Sequence, residues 1–138
     1  MGLAFPALLS LAALFASGAA CGVDSSTNNS AVVVLLDQTF PLHAGEACDV
    51  GGVSMDFAGS AGRTITVEAT GPSIMVPRFV LYAPDFATQI ANSSPNGSGK
   101  AKLIFALTLT GTHHITLCEA TGVSGSVRMR VTAPVLTG

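Results

Sequence analysis

The chain has 138 residues, enough for one ordinary domain, which excludes two large ones. Charged residues make up 10% and hydrophobic residues 49%, a balance that excludes disorder as the main state. Six basic against eight acidic residues give a net charge of -2, so the composition predicts no basic surface for a run of phosphates and no nucleic-acid partner.

Residues 1–20 predict a signal peptide. Residues 2–20 carry no charged side chain, and residues 3–15 form an apolar run of the length that a signal-peptide core requires. Residues 17–20 are small, as a signal peptidase needs, and Cys21 follows directly. This order resembles the bacterial lipobox. The resemblance implies that the Cys21 thiol is acylated with diacylglycerol and becomes the first residue of the mature chain.

Two departures from the lipobox keep two alternatives open. Gly18 stands where Leu is usual, and residues 1–6 lack the usual Lys or Arg. One alternative is an uncleaved membrane anchor, because about 18 or more apolar residues can span a bilayer. The other is cleavage by the ordinary signal peptidase, which would give a freely secreted protein.

Residues 21–30 predict a flexible linker headed by the candidate lipidated Cys21. The stretch is short, polar and rich in Ser, Thr and Asn, which is the composition of a flexible tether. We expect it to hold the domain formed by residues 31–138 away from a surface.

From residue 31 onward, apolar and small polar residues alternate with a period of two, the pattern of strands with one buried face. The segments that show it best are residues 53–57, 65–69, 103–109 and 127–131. Further strands are expected at residues 31–36, 38–42, 79–82 and 112–119. Gly and Pro mark turns about every ten residues. The sequence therefore predicts an all-β fold, a jelly-roll-like antiparallel β-sandwich of about eight strands, with Val67 and Phe105 in its core.

Four short motifs resemble the bacterial pre-peptidase C-terminal (PPC) domain. They are Met55-Asp56-Phe57 followed by residues 61–67, the Leu-Tyr-Ala-Pro-Asp run at residues 81–85, the strand at residues 110–117, and the closing strand at residues 125–131. In the second motif Phe86 stands where the family usually has Gly, and in the third His113 replaces Tyr. The resemblance implies a small β-sandwich of the kind attached to exported proteins. It implies no activity.

Three cysteines are an odd number for an exported protein. If Cys21 carries lipid, Cys48 and Cys118 remain as a pair in an oxidising compartment. With Ile115 and Leu117 facing inward, Cys118 faces outward, so the loop around Cys48 must cross that outer face or its edge. A bridge closing about 70 residues would stabilise the fold by roughly 4 kcal/mol. The alternative is two buried thiols.

The histidines and aspartates do not predict a metal site or a cofactor. His113 and His114 are adjacent in a strand and leave on opposite faces, so we expect one in the core or at an edge and the other solvated. Pairing His114 with Glu119 or His43 on a metal would need distances that the sequence does not fix. Calcium ligands are conceivable at Asp49, Asp56 and Asp85, but no spaced acidic loop is present, and we interpret these residues as solvated carboxylates.

The sequence predicts no catalytic residue. Residues 122–126 lack the final Gly of a G-x-S-x-G nucleophile elbow. Residues 97–100 depart from a phosphate-binding loop on both sides, and we interpret them as a hairpin turn. Without Trp and with Tyr82 as the only Tyr, the chain gives no indication of a sugar-stacking site, and Tyr82 is equally suited to the core.

The function expected from these features is that of a non-catalytic lipoprotein, anchored in the outer membrane or at the cell surface. Such a tethered sandwich would be an accessory or structural module of the cell envelope. Its expected partners are the membrane, through the lipid, and an envelope protein or a polysaccharide. The alternative is a freely secreted module that binds a polysaccharide or a protein. Lys100 and Lys102 are expected to guard a strand edge against pairing with another chain.

Overall fold

The computed structural model describes residues 31–43, 51–93 and 98–136, which form eight strands and no helix. In chain order the strands are β1 (Val32–Leu42), β2 (Val53–Gly59), β3 (Thr64–Thr70), β4 (Pro77–Tyr82), β5 (Gln89–Asn92), β6 (Lys100–Ala106), β7 (Gly111–Glu119) and β8 (Gly125–Pro134). The described residues thus include no helix that could cross a membrane. The predicted signal peptide and linker, together with Cys48, lie outside them.

The eight strands pair into two four-stranded sheets. The first sheet has the order β1-β8-β3-β6 and the second has the order β2-β7-β4-β5. Every pairing is antiparallel. This distribution of eight strands over two sheets is that of a jelly roll, so the predicted antiparallel sandwich is confirmed.

The inner faces of the two sheets build one core. Ile65 and Val67 of β3 and Ile115 and Leu117 of β7 point into the space between the sheets, and all four side chains are fully buried. Burial of each such side chain stabilises the fold by about 2 kcal/mol. The outward residues between them, such as Thr66, are polar or small, which is why the period of two in the sequence predicted the faces correctly.

Strand β1 is one strand where the sequence predicted two. The predicted strands at residues 31–36 and 38–42 are continuous, because Asp37 also pairs with β8. A β-bulge shifts the register between Val34 and Leu36. An inserted residue reverses the facing of everything beyond it, so Leu36 points into the core while Val34 points to solvent.

The middle of the chain departs from the prediction in two places. β5 was not predicted, because it has only four residues and none of them is fully buried. The strand expected at residues 103–109 is displaced and runs from Lys100 to Ala106 instead. As a result Leu109 is exposed beyond the strand end, and Phe105 is only half-buried at the sheet edge.

The turn before β6 is not the hairpin predicted for residues 97–100, because β5 and β6 belong to different sheets. Ser98 and Gly99 both have positive φ, of 57° and 70°. A side chain at Gly99 would overlap the backbone oxygens of Gly71 and Pro72. Gly99 is therefore required by the close approach of two loops.

Candidate functional site

The outer face of the second sheet brings three polar side chains into one row. Asp56 of β2 and Tyr82 of β4 are the register partners of His114 of β7. His114 Nδ1 donates a hydrogen bond to Asp56 Oδ1 at 2.5 Å, whereas its Nε2 is buried and has no hydrogen-bond partner among the described residues. Tyr82 therefore lies on the outer face of the sheet and not in the core, which the sequence analysis had given as one possible position for it. Although it points outward, His114 is only 4% exposed.

Phe86, in the loop after β4, covers His114. The two rings stack with an interplanar angle of 23°, and Phe86 itself is 69% exposed. Asp85 fixes this loop, since its carboxylate accepts hydrogen bonds from the Ala87 and Thr88 amides at 3.0 and 2.8 Å and from the Thr88 hydroxyl at 2.5 Å. The Thr88 hydroxyl, with these amides, holds the pKa of Asp85 below its ordinary value. The loop thereby places an aromatic ring over a buried imidazole.

Phe86 adopts the left-handed backbone region that favours glycine, with φ of 60°. This is the position at which the PPC resemblance has Gly, and the turn geometry explains that preference. A bulky residue in this region costs of order 1–3 kcal/mol. The stacking on His114 offsets part of this cost.

The two histidines lie on opposite faces, as predicted. His113 is fully buried in the core, stacks on Phe57, and has its Nδ1 3.1 Å from the Gly111 carbonyl oxygen. The expectation that the second histidine is solvated is wrong. His114 is buried because Phe86, from the loop after β4, stacks on its ring. The alternation of residues along a strand cannot predict where a loop folds back over the sheet.

Cys118 faces outward on β7, as predicted from the inward positions of Ile115 and Leu117. It is nevertheless only 1% exposed. Its Sγ lies 3.6 Å from the Arg78 carbonyl oxygen on the neighbouring β4. Cys21 and Cys48 lie outside the described residues, so lipidation and the disulfide stay predictions.

Glu119 ends β7 on the inner face and ties two loops together. Its carboxylate accepts hydrogen bonds from the amides of Val76, Thr121 and Val123 at 2.7 to 3.0 Å and from the Thr121 hydroxyl at 2.7 Å. Burial raises the pKa of Glu119, but these hydrogen bonds outweigh burial and hold the pKa at about 2. Glu119 and His114 lie on opposite faces, so they cannot share a metal.

The candidate calcium ligands are not brought together. Asp56 and Asp85 are both exposed to solvent, as predicted, and each also accepts hydrogen bonds, Asp56 from His114 and Asp85 from its own loop. Asp49 lies outside the described residues. In the ranges that the structure describes, no group of three or more His, Cys, Asp or Glu side chains could hold a metal ion.

The outer face of the first sheet carries a ladder of alternating charge. Asp37, Arg130, Glu68 and Lys102 are successive register partners across β1, β8, β3 and β6. Lys102 Nζ lies 3.3 Å from Glu68 Oε1. Arg128 donates from Nε and from a terminal nitrogen to both Asp37 oxygens, at 2.7 and 2.5 Å. These hydrogen bonds lower the pKa of Asp37 and raise that of Arg128.

This ladder was missed in the sequence, although its signal is present there. Arg128 and Arg130, like Lys100 and Lys102, are spaced by two and so project from one face of a strand. The missing information was the strand order that places the two pairs on one sheet. The net charge of the chain did not indicate that four basic residues lie together on this face. A shallow groove lined by Glu68, Thr70, Arg128 and Arg130 lies along it.

Comparison with known proteins shows a likeness of fold. No protein-family model and no curated protein matches the chain. Among solved structures, the pre-peptidase C-terminal domain of collagenase from Bacillus anthracis is similar with a TM-score of 0.58 at 13% identity, over 71% of this chain and 89% of that one. PliG from Aeromonas hydrophila, a periplasmic inhibitor of g-type lysozyme, has a TM-score of 0.51 at 20% identity, over 74% of this chain and 85% of that one. The PPC-like sandwich predicted from the motifs is confirmed.

Proposed function

We propose that this chain is a non-catalytic exported lipoprotein, a membrane-tethered β-sandwich that serves as an accessory or structural module of the bacterial cell envelope, at the outer membrane or cell surface. The observation that carries the proposal is the run of small residues at 17–20 followed by Cys21. Because β1 begins at Val32, residues 22–31 separate the candidate lipidated cysteine from the sandwich. A periplasmic protein with the same fold supports an exported location.

The second sheet supports a non-catalytic role. The His114–Asp56 pair is the arrangement in the described residues that most resembles a catalytic dyad. The Nε2 atom that such a dyad would present to a substrate is buried, and Phe86 stacks on the ring. A general base must come within hydrogen-bond reach of the proton that it abstracts, and this geometry opposes such an approach.

Metabolic labelling of the full chain with a palmitate analogue tests the anchor. We expect the label to be incorporated and the protein to sediment with membranes and to be extracted by detergent. A Cys21→Ser variant should lose the label, whereas Cys48→Ser, the matched control, should keep it. A Cys21→Ser variant that stays labelled would contradict the proposal. An unlabelled wild-type chain in the culture supernatant would favour the alternative, a secreted module that binds a polysaccharide or a protein.

We also propose the disulfide between Cys48 and Cys118. Val53 pairs with Leu117, and Gly52 packs against the Leu117 backbone, so residues 52 and 53 lie beside the strand segment that carries Cys118. The four Cα–Cα steps from Cys48 to Gly52 span at most about 14 Å, and bridged Cα atoms lie about 5.5 Å apart, so chain length permits the bridge. The burial of an outward-facing Cys118 also supports it.

Mass spectrometry of the intact chain under denaturing conditions, with thiol alkylation before and after reduction, tests the disulfide. We expect Cys48 and Cys118 to be alkylated only after reduction. Peptide mapping should show the two residues linked. Alkylation of both thiols without reduction would contradict the bridge and favour two buried thiols.

A further inference from the structure

The outer face of the first sheet has a half whose outward strand residues are uncharged, here called the apolar half, with exposed aliphatic side chains at its two edges. The β1 bulge turns Val32 and Val34 outward, and the row Val34, Thr132, Thr66 and Ile104 crosses the whole sheet. Ile104 is 63% exposed at the far edge of that row. Beyond β8, Val135 and Leu136 are also exposed, at 41% and 75%. Exposed aliphatic side chains at both edges of one sheet face favour an interaction surface there.

The other half of this face holds an excess of positive charge. Lys100, Lys102, Arg128 and Arg130 are four of the six basic residues of the chain. The carboxylates interleaved with them are those of Asp37 and Glu68. The face is therefore net positive on a chain whose total charge is -2, so it is complementary to an anionic surface.

The apolar half lies at the end of the sandwich where the chain enters. The Val135 amide bonds to the Ala31 carbonyl oxygen, so the entering chain adjoins the apolar residues at the end of β8. Residues 22–31 can extend over about 35 Å at most. A lipid on Cys21 would therefore keep this end of the domain close to the membrane surface.

We infer that the outer face of the first sheet docks onto an anionic phospholipid surface. Val34 and Ile104 enter the boundary between headgroups and acyl chains, and the Lys and Arg residues lie over the anionic headgroups. This inference rests on the proposed lipid anchor and adds an orientation to it. No outward side chain on the four strands of this sheet is aromatic, which favours a lipid surface over a stacked sugar.

Single-tryptophan variants of the lipidated full chain test the docking, because the chain contains no Trp. Ile104→Trp places the probe on the docking face, and Ser54→Trp places it at an exposed outward site on the second sheet. Both variants are reconstituted in vesicles of equal parts phosphatidylglycerol and bromine-labelled phosphatidylcholine. We expect bromine to quench Ile104→Trp emission by half or more and to leave Ser54→Trp emission nearly unchanged. Replacing phosphatidylglycerol by neutral lipid, or adding Lys102→Glu with Arg130→Glu, should reduce the quenching.

The outcomes separate the orientation from the anchor. A chain that sediments with vesicles but shows no quenching of Ile104→Trp keeps its anchor and overturns the docking. Equal quenching of both probes would also overturn it, because the domain then has no preferred face. A chain that does not sediment overturns both proposals. If the Ile104→Trp probe becomes buried without vesicles as the protein concentration rises, the face binds a second copy of the chain instead. If the protein is retained on isolated cell-wall polysaccharide and not on vesicles, the face binds a glycan instead.

Discussion

On the outer face of the second sheet His114 and Cys118 are almost completely buried, whereas on the outer face of the first sheet the Arg128 and Lys102 side chains are 56% and 55% exposed. Both faces follow the same alternation of inward and outward residues. For His114 the difference arises from a loop, since the loop that carries Phe86 folds back over the second sheet. Alternation therefore decides which way a side chain points, and the loops decide whether an outward side chain meets water.

The largest expected effect separates the shared core from the outer faces. Val67→Asp places a charge at a fully buried position of β3. An isolated buried charge costs several kcal/mol against a total stability of about 5–15 kcal/mol, so we expect this variant to be unfolded in circular dichroism and thermal melts. Thr70→Asp, at an exposed outward position of the same strand, should melt cooperatively.

Phe105→Asp sharpens this first prediction. The sequence predicted both Val67 and Phe105 in the core, but Phe105 is only half-buried, so its variant should retain more structure. Val67→Asp melting cooperatively at the parent temperature would show that the inner face of the first sheet is assigned wrongly.

The second prediction compares one carboxylate from each sheet. The folded pKa of Glu119 is about 2 against an ordinary value of 4.5, so its contribution is complete above pH 4.5 and is lost as the pH falls toward 2. The loss amounts to about 3 kcal/mol. Denaturant unfolding from pH 7 to pH 2 measures it, and Glu119→Gln should flatten the acid limb.

Asp37→Asn is the matched variant on the first sheet. The pKa of Asp37 is also lowered, chiefly by its hydrogen bond with Arg128, so its contribution has the same sign. The ion pair is exposed to screening by solvent, and the acid limb should therefore remain nearly as steep as in the parent. A flat acid limb in Asp37→Asn with a steep one in Glu119→Gln would reverse the comparison.

The third prediction concerns the covered histidine. His114→Ala removes the hydrogen bond to Asp56 and the ring beneath Phe86, and we expect a loss of about 2 kcal/mol in the free energy of unfolding. His114→Phe keeps a ring but loses the hydrogen bond, so it should fall between Ala and the parent. Thr112→Ala, at an exposed position two residues earlier, is the control and should change little.

The smallest expected effect is that of Arg128→Ala. Its ion pair with Asp37 is well formed but exposed, so the midpoint of denaturant unfolding should stay close to that of the parent at ordinary salt. A loss as large as that of His114→Ala would mean that the first outer face stabilises the fold in the same way as the second.

Much of the fold could be predicted because strand side chains alternate. The inward positions of Ile115 and Leu117 and the outward position of Cys118 followed from that rule alone. β5 was not predicted because its four residues are all at least partly exposed and show no clear alternation of buried and exposed positions. The two strands predicted at the start of the domain form one continuous strand with a bulge. The sequence did not reveal this, because the bulge is marked by neither Gly nor Pro.

The composition of the two outer faces could be predicted less well than the fold. The spacing of Arg128 with Arg130, and of Lys100 with Lys102, identified outward basic residues but not their common sheet. The position of Phe86 over His114 depends on the loop after β4, which the Asp85 carboxylate holds in place, and it joins that loop to β7, a distant part of the chain.

The sequence by itself determined the all-β class, the inward and outward sides of most strands and the expectation of an exported, lipid-tethered chain, because these depend on local periodicity and on a contiguous leader. Only the tertiary structure decided that Val34 faces solvent, that four cations share one sheet and that an outward histidine is buried. Those features depend on a register shift, a strand order and a loop contact. Each is set by the packing of residues far apart in the chain, which local patterns do not encode.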